Sequence, residues 1–144
     1  MSTVVNMRRV RGVCAFEVEK DANLAFMDMK NSGLRLSKYL NSSLYRKHHV
    51  IESILDEAQS LLPPFIKTCV YVSGICYYKS RKLYVRFYYD ATNTGILRAV
   101  LLVSLNRGTL RVLSRRLENL GWRRILYFEI IKYISYQHSR RPPA

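Results

Sequence analysis

The chain has 144 residues, 49% of them hydrophobic, with 24 lysines and arginines against 10 acids and a formal net charge of +14. That length and apolar content suit one domain with a real core and argue against a disordered tail. The charge points to polyanionic partners, nucleic acid before anionic membrane. Three cysteines, Cys14, Cys69 and Cys76, are widely spaced and form no C-x-x-C pair, which argues against a disulfide framework and a structural zinc site. Val4-Val5 is too short for the apolar core of a signal peptide, and Arg8, Arg9 and Arg11 follow it. Charge interrupts every apolar run before the ~20 residues of a membrane span. A cytoplasmic or other intracellular, reducing compartment is therefore expected.

Residues 1–11 are a basic lead to a strand over 12–19, with Cys14, Phe16 and Val18 on one face and Val13, Ala15 and Glu17 on the other. Residues 20–41 hold Asn23, Asn31, Gly33 and Asn41 without a sustained apolar period. They read as a long connection with at most one helical turn, pinned by Leu24, Phe26 and Met27. Over 43–62 the spacing predicts a helix whose stripe is Leu44, Ile51, Ile54, Leu55, Ala58, Leu61 and Leu62. Ser42 or Ser43 caps it, and Pro63-Pro64 stops it. His48 and His49 are neighbours on this helix and point about 100° apart, a poor arrangement for sharing one metal.

The period then changes to two. Strands are predicted over 68–78 and 82–89, joined at Lys79-Ser80-Arg81, with Leu83, Val85, Phe87 and Tyr89 opposite Tyr84, Arg86 and Tyr88. The turn from Asp90 to Gly95 carries the Asp, Asn and Gly that local hydrogen bonding and positive φ favour. Residues 96–105 read as an apolar strand whose second half also fits the start of a helix. A second helix follows, from an Asn106 cap through Leu110, Leu113, Leu117 and Leu120 to Gly121. A last strand over 125–136 places Leu126, Phe128, Ile130 and Ile134 inward, and the basic tail 137–144 is expected to be loose. The pattern is a single α+β domain over 1–144, two layers with helices on one face of a mostly antiparallel sheet.

Arg107, Arg111 and Arg115 recur at intervals of four on the second helix, with Arg116 alongside and only Glu118 to offset them. Like charges about 6 Å apart destabilise an isolated helix slightly, and a polyanion removes that cost. Guanidinium forks grip phosphate oxygens, so these four arginines are the leading candidates for RNA contact. Arg123 and Arg124 extend the patch, Arg86 and Arg98 lie on strands, and Arg8, Arg9, Arg11, Arg140 and Arg141 lie where they can wrap around it. Eleven tyrosines are many for this length. If their sheet face is open, Tyr84, Tyr88, Tyr127 and Tyr133 suit stacking on unpaired bases; the same residues also suit half-buried strand positions. Trp122, beside two arginines, reads as a packing residue. The chain holds no glycine-rich phosphate loop and no G-x-S-x-G, and Asp56, Glu57, Asp90 and Glu129 are scattered. No catalytic residue, cofactor, metal site or small-molecule substrate is expected.

The run Thr92, Thr94, Gly95, Ile96, Leu97, Arg98 is followed by a helix and an apolar strand, and Arg8-Arg9-Val10-Arg11 stands before the first strand. In these features the chain resembles the small α/β protein subunit of ribonuclease P and of its mitochondrial-RNA-processing relative, the Pop-five and Rpp-fourteen type. The chain departs from that family in a longer 20–41 connection, an added strand at 68–78, and a final strand that runs into Tyr136-Gln137-His138-Ser139-Arg140-Arg141 where the family has Gly-Thr-Ile. The resemblance implies a ferredoxin-like sandwich that holds the shape of a catalytic RNA and pairs with a barrel-fold subunit. The RNA, with magnesium, does the chemistry on precursor tRNA. An RNA-binding subunit of a ribonucleoprotein is thus the leading expectation, with structured RNA and other protein subunits as partners and a homodimer compatible with them. A ribosomal or virion nucleoprotein is the first alternative. A self-assembling basic matrix protein on anionic membrane is the second.

Overall fold

The protein is described by a computed structural model covering residues 12–36, 49–60, 62–104 and 107–125, without the side chains of residues 49–51 and 107. Six strands form one sheet: β1 (Gly12–Asp21), β2 (Leu34–Leu36), β3 (Val70–Tyr78), β4 (Arg81–Tyr89), β5 (Ile96–Ser104) and β6 (Arg123–Ile125). Their order is β2-β3-β4-β5-β1-β6, and every neighbouring pair is antiparallel. Three helices accompany them: α1 (Ala22–Asn31), α2 (His49–Ser60) and α3 (Arg107–Asn119). The α+β class and the antiparallel sheet agree with the sequence.

The layering departs from it. Helices cover both faces of the sheet, giving three layers where two were expected. One apolar cluster joins Ile54, Leu55 and Ala58 of α2 to Val13, Ala15, Tyr84, Tyr88, Ala99, Leu101 and Val103. The other joins Ala25 and Met29 of α1 and Leu110, Leu113 and Leu117 of α3 to Cys14, Phe16, Leu83, Val85, Phe87, Leu97, Val100 and Leu102. The cause lies in the central strands. β1, β4 and β5 are apolar on both faces, so each face needs its own cover. Leu97 serves one cluster and Ala99 the other because Arg98 is an extra residue in β5: Tyr88 pairs with Ala99 and Tyr89 with Leu97. Such a bulge shifts the alternation by one.

The 20–41 connection contains a full ten-residue helix, α1. Asp21 caps it, its Oδ1 accepting from the backbone N–H of Asn23 at 2.9 Å and of Leu24 at 3.2 Å. Gly33 ends it at φ 98°, in the left-handed region that favours glycine. Residues 43–48 and 61 of the second predicted element lie outside the described residues, and Pro64 opens a short 3-10 helix, Pro64–Thr68. Residues 96–104 are strand throughout. α3 stops as the glycine predicts: Gly121 is at φ 96° and its N–H donates to Glu118 O at 3.0 Å, while Trp122 N–H donates to Leu117 O at 3.1 Å. That bond pair is the Schellman arrangement. Leu120 lies past the helix and is exposed, unlike the buried Leu110, Leu113 and Leu117. The last strand is described only as β6, and residues 126–144, including Tyr127 and Tyr133, lie outside the described residues.

Candidate nucleic-acid interface

The sheet face of Tyr84, Arg86 and Tyr88 is closed. α2 lies over it, and Arg86 is 2% exposed. Its NH2 donates to Glu52 Oε2 at 2.8 Å and to Asp56 Oδ1 at 2.7 Å, its NH1 to Gln59 Oε1 at 2.8 Å, and its Nε to Ser73 Oγ at 3.2 Å. Tyr88 is fully buried and its hydroxyl donates to Gln59 Oε1 at 2.9 Å. Burial alone would lower the Arg86 pKa, but Asp56 and Glu52 outweigh it and hold the guanidinium charged. Burial pushes the Tyr88 phenol up to about 12. These three residues therefore form the inner side of a helix–sheet contact and are withdrawn from the RNA-facing set. The missed signal was on the helix, where Glu52, Asp56 and Gln59 fall at i, i+4 and i+7 on one side.

Arg98 is also engaged. Its Nε donates to Glu19 Oε1 at 2.8 Å, its NH1 lies 3.9 Å from Asp90 Oδ2, and its guanidinium stands over the Phe65 ring at 4.5 Å. The preceding turn is built by side chains. Asp90 Oδ1 accepts from Thr92 N–H at 2.8 Å, Thr92 Oγ1 at 2.6 Å and Asn93 N–H at 3.2 Å, and Asn93 Oδ1 accepts from Gly95 N–H at 3.1 Å. The Thr92 hydroxyl and amide bonds hold the Asp90 carboxyl below its ordinary range. The positive φ expected in this turn is absent; among the described glycines only Gly33 and Gly121 use it. The Thr92 to Arg98 run thus has a structural role, and Gly95 O ties the turn to α1 through Ala22 N–H at 2.8 Å. Arg123 pairs with Glu17, although the arginine side chain stays 74% exposed.

The α3 arginines differ. Leu110, Leu113 and Leu117 turn inward, so Arg111, Arg115 and Arg116 turn to solvent. None of them, nor exposed Arg124, has a carboxylate partner among the described residues. The Arg116 guanidinium stands 5.8 Å over the Tyr78 ring and its NH1 donates to Ser32 O at 3.5 Å, so its fork is held against the end of α1 while the residue stays exposed. Arg107 begins the helix, and its side chain lies outside the described residues, as do Arg8, Arg9, Arg11, Arg140 and Arg141.

A second cationic region had not been singled out. The β3–β4 hairpin end carries exposed Lys79, Arg81 and Lys82, and β2 beside it carries exposed Arg35. No Asp or Glu occurs from Val70 to Tyr89. Lys79 stands 5.8 Å over Tyr78, Lys82 5.5 Å over Tyr84 and Arg35 4.9 Å over Tyr77. The carboxylates gather at the other end: Asp21 pairs with Ile96 at the start of β5, next to the Asp90 turn, with Glu17 and Glu19 just before it on β1. The sheet is thus basic without carboxylates where Tyr78 and Leu34 meet, and of mixed charge where Asp21 and Asp90 meet, since Lys20, Arg98 and Arg123 stand among the acids there. Three cations within four residues, Lys79 to Lys82, were the available signal.

No protein family, no curated protein and no solved structure matches this chain. The interface therefore stands on its own geometry. Among the described residues no group of three or more His, Cys, Asp and Glu is placed to hold a metal ion, and no helix is long and apolar enough to cross a membrane. Burial pushes the Cys14 thiol up to about 11 and the Cys76 thiol to about 12, so both stay protonated at neutral pH. A thiol in that state is a packing residue and a poor nucleophile.

Proposed function

We propose that this protein binds RNA through phosphate contacts made by the outer face of α3 and the hairpin end, as a non-catalytic subunit of an intracellular ribonucleoprotein. The observation that carries this reading is selective pairing. Arg86, Arg98 and Arg123 each have a carboxylate, whereas Arg111, Arg115, Arg116, Lys79, Arg81 and Lys82 have none among the described residues. Exposed cations left without carboxylate partners among the described residues of a +14 protein favour a polyanion there. The contact is to the backbone more than to bases, since the described tyrosines nearest the patch already have a cation over one ring face. Backbone contact positions a folded RNA without reading its sequence.

The ribonuclease P reading belongs to this proposal. It is supported by topology: with β2, α2 and β3 set aside, the chain runs β1-α1-β4-β5-α3-β6, in sheet order β4-β5-β1-β6, with α1 and α3 in one apolar cluster. That is the β-α-β-β-α-β plan of a ferredoxin-like sandwich. Recovery from cells at physiological salt, followed by sequencing of the bound nucleic acid, tests the reading. One discrete structured RNA, with companion subunits, is the expected result. Heterogeneous genomic nucleic acid would favour a coat protein instead, lipid would favour a matrix protein, and recovery of no nucleic acid would overturn the proposal.

A further inference from the structure

Arg116 of α3 and Lys79 of the β3–β4 turn each stand 5.8 Å over one ring, that of Tyr78. The end of α1 closes on the same point: a Cβ at Gly33 would lie 3.0 Å from Tyr78 Cε1 and 3.7 Å from Arg116 NH1. The α3 row and the hairpin end are therefore one surface, running from Arg111 and Arg115 through Arg116 and Lys79 to Arg81 and Lys82. All six are exposed, and none has a carboxylate partner among the described residues. Glu118 is the only acid on α3.

The rings on this surface are covered. Tyr78 is 5% and Tyr84 8% exposed, the latter with Lys82 over it at 5.5 Å. Tyr77 is half-buried beneath Arg35 at 4.9 Å, and Trp122 is buried. Tyr71, the most exposed of the described tyrosines, lies at the far end of β3, paired with Tyr88. An unpaired base gains by stacking on an open ring face. This surface turns cations outward instead.

Building on the RNA-binding reading above, we propose that this continuous surface takes a double-helical RNA stem along its backbone and discriminates against unpaired strands. A double helix carries roughly one negative charge per 1.7 Å of its axis, so fixed cations release more counterions on it. The dependence of log affinity on log salt is about −0.9 per phosphate contacted, against about −0.7 for a single strand. Helix geometry also holds Arg111 and Arg115 ~6 Å apart, close to the separation of neighbouring phosphates along one strand. A stem already fixes its phosphates, whereas an unpaired strand must first be ordered at an entropic cost. Stacking would offset that cost, and the covered rings here withhold it.

The test titrates the full chain with an RNA duplex of about 16 base pairs, and with each of its strands alone, over a range of salt. Wild type should bind the duplex at least about tenfold more tightly than either strand near physiological salt, with the steeper salt dependence. That comparison needs no variant and so does not depend on one folding. Arg81→Glu with Lys82→Glu, at exposed positions, should weaken duplex binding and flatten its salt slope by about two, as the loss of two phosphate contacts requires. Adding Arg111→Glu and Arg115→Glu should flatten it further by about the same amount, because all four face one stem. Equal or tighter binding of the single strands would overturn the proposal while leaving RNA binding in place, and so would a wild-type duplex slope in the hairpin variant. Binding of neither form would overturn the RNA reading itself, and this proposal with it.

Discussion

The two faces of the sheet use arginine in opposite ways. Under α2, Arg86 is turned inward and surrounded by Glu52, Asp56, Gln59 and Ser73, so its charge orients the helix on the strands. Under α3 the contact is mainly apolar, through Leu110, Leu113 and Leu117, with one buried Ser114–Cys14 hydrogen bond and no ion pair among the described residues, and the arginines are left outside. What arginine does is thus decided by the facing layer. A helix with carboxylates on its inner side absorbs the charge, and a leucine stripe leaves it available.

The largest effect should come from breaking the inward charge. Arg86→Ala leaves Glu52 and Asp56 without their cation and should cost about 3–5 kcal/mol. Arg86→Met with Glu52→Met should recover part of that loss, because both members of one ion pair are then replaced by apolar groups together. Urea unfolding of both variants measures the difference. On the other face, Leu113→Ala removes a fully buried side chain and should cost about 2–4 kcal/mol, with no help from salt or pH. If the comparison holds, raising ionic strength changes the Arg86 deficit and leaves the Leu113 deficit unchanged.

A smaller effect concerns the join between α1 and α3. Asp28 Oδ2 accepts from Lys20 Nζ at 2.7 Å and from Trp122 Nε1 at 2.9 Å. Burial pulls the Asp28 pKa up, but the Lys20 and Trp122 bonds outweigh it and the net shift is downward. A carboxyl lowered by folding contributes in full above the unfolded value of about 3.9 and loses that contribution as pH falls through the folded value. Wild type should therefore exceed Asp28→Asn in urea midpoint at pH 6, and the gap should close as pH drops below about 4. A gap that stays constant would remove the charged Asp28 from the account.

These contrasts also explain what was legible in the sequence. The ends of α2 and α3 could be read because prolines and Gly121 act locally, through a missing N–H and a left-handed φ. α1 was missed because Leu24 and Met27 face solvent, so its apolar residues draw no single stripe. β2 was missed because three residues show no period. The α3 arginines could be placed outside from their leucine stripe alone. Arg86 could not, since alternation separates the two faces of a strand without telling which one a helix will cover. The hairpin cations needed the register that brings Tyr78, Leu34 and Arg81 together.

The smallest expected effect on stability accompanies the largest on binding. Arg111→Glu with Arg115→Glu should change unfolding free energy by no more than about 0.5 kcal/mol, as exposed substitutions do. The decisive measurement is the affinity of this double variant and of wild type for a folded RNA across a range of salt concentrations. If α3 grips phosphate, the variant binds roughly tenfold or more weakly, and its plot of log affinity against log salt is shallower by about two. Equal affinity and equal slope would contradict the assignment of this helix to RNA.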